Sequence, residues 1–154
     1  MKNIPQTSVS EILAQAFIDM PKVLPIEVQT LADSLLIDVA GLCVAARHAD
    51  YVQASYRATF ESGNCTVIGH SEKGNVLTAC FVNGTATHGE DYDDTFEGGP
   101  IHAGAVIVPA VLAACEQHQL SGQALARGIA IGSELMCRMC SVAPKLVHKA
   151  GFHP

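Results

Sequence analysis

Three features of the chain predict an all-α fold. Apolar residues recur at one-face helical spacing in most segments, Ser, Pro and Gly punctuate the segment ends, and a single short apolar run reads as a strand. Ser8 and Glu11 have capping-box spacing, and Val9, Ile12, Leu13, Ala16 and Phe17 follow on one face. A first helix is therefore predicted to about Met20, with Pro21 ending it. A second opens at Pro25 with Glu27 in its first turn, runs through Val28, Leu31, Leu35, Val39 and Leu42, and closes on the basic residues Arg47 and His48. A third is predicted over residues 51–61, followed by a turn at Ser62, Gly63 and Asn64 and a candidate strand at residues 65–68.

Small and apolar residues prevail again from Val76 to His88, which predicts a helix although Gly84 weakens it. After the Gly98-Gly99-Pro100 break, a helix is predicted from about His102 to His118. Pro109 lies inside it, lacks the N–H that the preceding turn expects, and should bend the axis. Ser121 begins the last helix, whose stripe includes Leu125, Ile129, Leu135 and Met139, and Pro144 ends it. Gly128 and Gly132 stand one turn apart and offer a neighbouring helix a close approach.

A chain of 154 residues has the size of one domain, and nothing in it resembles a linker or a repeat. With 49% hydrophobic and 16% charged residues it can bury a core, which excludes global disorder. Nine basic against 15 acidic residues give a net charge of -6, so no nucleic acid partner is expected. The start is polar and broken by Pro5, so no leader is expected. The long uncharged stretch over residues 98–115 carries Pro100, His102 and Pro109 and reads as a buried helix, so no membrane span and a cytoplasmic location are expected. The six cysteines sit mostly in apolar stretches, as free thiols do in a reducing compartment. Cys137 and Cys140 form a lone CxxC without a second pair and read as core-facing residues rather than zinc ligands.

Chemistry concentrates in the run from His88 to Glu97, where Glu90, Asp91, Asp93, Asp94 and Glu97 crowd together in a chain otherwise sparsely charged. Like charges this close destabilise one another unless solvated, hydrogen-bonded or neutralised. If helical geometry persisted, His88, Asp91, Tyr92 and Thr95 would share one face, and Glu90, Asp93, Asp94 and Glu97 would point elsewhere, as in a solvated acidic loop. His102 follows at a helix start, where free N–H groups favour an anion such as a carboxylate. An EF-hand counted from Asp91 fails, because Phe96 and His102 occupy the places of its glycine and glutamate. Asp93, Asp94 and Glu97 match the DDxxE spacing of magnesium–diphosphate enzymes, but few basic residues follow to hold a diphosphate.

The run Asn83-Gly-Thr-Ala-Thr-His88, then Asp91-Tyr-Asp-Asp-Thr95, His102-Ala-Gly-Ala105, Pro109-Ala-Val-Leu-Ala113 and Gly151-Phe-His-Pro154 resembles the MmgE/PrpD family of 2-methylcitrate dehydratases and cis-aconitate decarboxylases. The resemblance implies a helical domain joined to a smaller lid domain, acting without metal or organic cofactor on small di- and tricarboxylates, commonly as a homodimer. It places Asp91 and His102 as catalytic residues and Thr95 and His153 as substrate-binding ones. Members of the family are longer, so the 154 residues are expected to be an amino-terminal part of the helical domain, without the lid and inactive alone. A dehydratase is the expected activity, with epimerase or isomerase chemistry on the same scaffold, or a non-catalytic fragment that self-associates, as alternatives.

Overall fold

The computed structural model describes residues 7–143 and 146–151. Its order is α1 (Val9–Asp19), α2 (Ile26–Ala46), α3 (Asp50–Thr59), β1 (Ser62–Thr66), β2 (Lys73–Gly74), α4 (Val76–His88), α5 (Ala103–Gln117), α6 (Gly122–Val142) and α7 (Leu146–Lys149). The all-α expectation holds. The helix starts obey their sequence signals: Ser8 caps α1 in a true capping box, Asn75 caps α4, and the Ser121 side chain accepts from Ala124 N–H at the start of α6.

Two differences from the sequence expectation are local. The strand begins three residues earlier than its apolar run and pairs antiparallel with the two-residue β2, across a bulge between Ser62 and Cys65. This ribbon is too small to stand alone, and side chains from the helices hold it. Glu116 of α5 accepts from Thr66 N–H at 2.6 Å and lies 3.6 Å from Lys73 Nζ. The buried Asn83 of α4 donates to Thr66 O at 2.9 Å and accepts from Ile68 N–H at 2.9 Å. The short helix α7 has no counterpart in the sequence expectation.

Helices α2, α4, α5 and α6 meet around Val39, Cys43, Val82, Val108 and Ile129, each about fully buried, with Val52 of α3 and Val67 closing the core beneath the ribbon. Burying each of these side chains contributes roughly 1.5–3 kcal/mol before conformational entropy is charged against it. A Cβ on Gly128 would lie 2.5 Å from Val111 Cγ1, and one on Gly132 would lie 2.6 Å from Ile107 Cγ2. Those two glycines thus let α5 and α6 pack closely, as their spacing predicts. Pro109 is accommodated inside α5. The carbonyl it leaves without a helical N–H belongs to Ala105 and faces Gly84 of α4, where a Cβ would come within 3.1 Å of that oxygen.

Among the described residues, α2 alone is long and apolar enough to cross a membrane, with a mean hydropathy of 1.5 over its most apolar window, of which 17% is buried. It packs on α4, α5 and α6. Its opposite face leaves Leu31, Ile37 and Val44 exposed. Beside it, α1 buries none of its residues and lies against α6 through Arg127, which donates to Phe17 O at 2.8 Å. An apolar cavity of about 710 Å³ separates α1, α2 and α6, lined by Phe17, Leu35, Ile129 and Cys137 among others.

Candidate active site

Helix α4 ends on His88, so the helical face proposed for residues 88–95 does not form. Gly89 caps the helix, and Asp91 adopts a left-handed backbone with φ of 56°, a conformation that aspartate tolerates better than most side chains. The chain turns back here, and a bridge between Phe96 and Gly99 closes the loop before α5 begins. This reversal, rather than a helical repeat, brings His88 and His102 together, with ring centroids 4.7 Å apart.

Asp93 lies between the two rings with its side chain fully buried, contrary to the solvated role its sequence position indicated. His88 Nδ1 sits 3.1 Å from Asp93 Oδ2 and 3.2 Å from Oδ1, within hydrogen-bond reach of both. His102 Nδ1 is 3.2 Å from Asp93 Oδ1 but off the line of a hydrogen bond, so that contact is electrostatic rather than directional. On its other side, His102 Nε2 lies 3.5 Å from Asp91 Oδ1. A buried imidazole therefore has a carboxylate near each nitrogen.

Asp94 serves the same site differently. Its Oδ1 accepts from Gly104 N–H at 2.8 Å, capping α5 where His102, the residue at the cap position, makes no side-chain cap. Burial pushes the Asp94 carboxyl above its ordinary range, against the lowering effect of the Gly104 hydrogen bond, and neighbouring Asp93 adds to the upward push. A Cβ on Gly104 would stand 2.3 Å from Asp94 Oδ1, so the cap requires glycine there.

Of the residues singled out by sequence, Asp91 and His102 converge. Thr95 is exposed on the same loop. Tyr92, placed on the same supposed face, is 82% exposed. His153 lies outside the described residues. Asp93 was missed because only the chain reversal buries it; the signal available was its place between two histidines in a run of acidic residues. The two imidazoles open on a cavity of about 450 Å³ between α4 and α5, lined also by Phe81, Gly84, Thr85 and Val106, with no lysine or arginine among the described residues of its lining.

The profile of the MmgE/PrpD N-terminal domain matches residues 13–154. The chain belongs to the MmgE/PrpD family. Curated relatives include a cis-aconitate decarboxylase of Aspergillus terreus, 34% identical over 98 residues, covering 60% of this chain and 20% of the relative. A cis-aconitate decarboxylase-like protein, oryM, of Aspergillus oryzae is 27% identical over 99 residues, covering 62% of this chain and 20% of its own length. The matched segment is thus about a fifth of each of these MmgE/PrpD relatives. No solved structure matches the chain.

Proposed function

We propose that this chain is part of a cofactor-independent lyase that acts on small di- or tricarboxylic acids by proton transfer at the carbon beside a carboxylate. The observation that carries the proposal is the buried His102, flanked by Asp91 and Asp93 at the edge of a cavity between α4 and α5. In a dehydration, a base removes the α-proton and the departing hydroxide takes up a proton. In a decarboxylation, carbon dioxide leaves and a proton is delivered to the carbon. Either reaction needs a proton carrier that titrates near neutrality, held beside the reacting carbon and away from bulk water.

In this scheme His102 handles the proton, with the Asp93 carboxylate near its Nδ1 and the Asp91 carboxylate near its Nε2. Thr95 and His153 are proposed to hydrogen-bond substrate carboxylates. Among the described residues the cavity lining supplies no cation to bind those carboxylates, which supports the expectation that the 154 residues bind such an acid weakly and do not turn it over alone. A homodimer and a cytoplasmic location go with the same proposal.

Dehydration of a 2-methylcitrate-like acid is the leading chemistry. Decarboxylation is the second, favoured by the names of the curated relatives. Incubating an active polypeptide that contains these residues with 2-methylcitrate and with cis-aconitate in deuterated water, followed by NMR, distinguishes them. Loss of water, or release of carbon dioxide with deuterium placed at the α-carbon, identifies the reaction. Deuterium exchange with inversion and no elimination would point to an epimerase instead, and inertness toward every small polycarboxylate would reject the proposal.

A further inference from the structure

His88, Asp91, Asp93 and His102 each offer one ligand atom, and these atoms all lie within 4.8 Å of one another. With one donor taken from each residue, His88 Nδ1 lies 3.1 Å from Asp93 Oδ2 and His102 Nε2 lies 3.5 Å from Asp91 Oδ1, close to the ligand-to-ligand spacing of a four-coordinate ion. Bonds of about 2.0–2.2 Å to nitrogen and oxygen give tetrahedral edges of about 3.3–3.6 Å. We propose that these four residues form a binding site for a divalent transition-metal ion of the zinc type.

The donor set decides the class of ion. Two imidazoles with two carboxylates suit zinc or a similar borderline ion, whereas magnesium and calcium take oxygen ligands. Two carboxylates crowded against two rings gain from a central cation, which neutralises them and accepts the ring lone pairs at once. Asp93 and His102 are buried, and His102 stands at the start of α5, so half of the site is pre-formed. Asp91, 68% exposed in its side chain and carried on the loop, supplies the adjustment that brings the outermost ligand into range.

Metal binding stands independently of the lyase proposal, since the ligands belong to the chain whether or not it turns over an acid. One consequence does rest on that proposal. An ion that occupies a lone pair of His102 removes the base, so it inhibits proton transfer and is a blocker rather than a cofactor.

The test uses the purified chain, titrated with zinc chloride by calorimetry and with cobalt chloride by visible absorption. One equivalent of zinc should bind with a micromolar or tighter Kd, and cobalt should give the d–d bands of a tetrahedral site without a thiolate charge-transfer band. His88→Gln, Asp91→Asn and Asp93→Asn should each weaken zinc by about tenfold or more, the scale at which even outer-shell partners of a metal matter. Circular dichroism checks each fold, and if Asp93→Asn unfolds, His88→Gln and Asp91→Asn decide. Binding only at millimolar zinc, a thiolate band showing that cysteines hold the metal, or unchanged affinity in the folded variants would overturn the proposal. Since no substrate is present, failure here leaves the lyase proposal to its own assay.

Discussion

Asp94 separates the two duties that a carboxylate can perform in one place. Its oxygen satisfies the N–H of Gly104, the second residue of α5, while its charge is disfavoured by burial and by Asp93. Asn keeps the acceptor and removes the charge, so Asp94→Asn should leave the melting temperature of the chain unchanged or raised at neutral pH. Asp94→Ala removes the acceptor and should cost about 0.5–2 kcal/mol, the usual loss for an N-cap. Calorimetric melting of both variants checks the contrast, and equal destabilisation would mean that the charge is what stabilises the site. His70 is a second residue-scale case. Its ring stacks on Tyr56 at 4.5 Å, and burial, aided by His48 and Arg47, pushes its pKa below the ordinary histidine range. A histidine held neutral in the fold contributes stability that is present above its unfolded pKa and is lost as pH falls through the folded one. Melting temperature should therefore decline on acidification from neutral pH, and His70→Phe should flatten that decline.

Helices form where local spacing and caps agree, which is why their positions were legible before any coordinates. The capping box at Ser8, the stop at Pro21 and the glycine pair in α6 all carry their reasons in sequence. The glycine pair makes a prediction at this scale. Gly132→Leu must displace Ile107 across the α5–α6 contact, and such overpacking costs about 1–3 kcal/mol. At about 2–4 °C per kcal/mol for a domain of this size, a thermal melt resolves it; an unchanged melting temperature would show that α5 and α6 can separate freely. What was illegible is the turn after α4. Periodicity extended through residues 88–95 put Asp91 and Thr95 on one face and Asp93 on the other, whereas the left-handed Asp91 reverses the chain and buries Asp93 between the histidines. Backbone reversal has no hydrophobic period to announce it. The short ribbon was half legible for a similar reason: β2 is only Lys73 and Gly74, and their pairing depends on Glu116 and Asn83 from distant helices.

Across the whole molecule, the core lies between α2, α4, α5 and α6, and the paired histidines stand where α4 ends and α5 begins. That junction gives the site rigid supports on both sides and a loop that can adjust between them. The chain belongs to the MmgE/PrpD family over residues 13–154, a span that includes this junction. The residue that touches both halves of the account is His102, and its substitution is the most direct measurement. In an active polypeptide containing these residues, His102→Ala should lower turnover of the carboxylic acid substrate by about 100-fold or more, the usual scale for a general acid or base, with the fold unchanged by circular dichroism. Near-normal turnover by that folded variant would contradict the account.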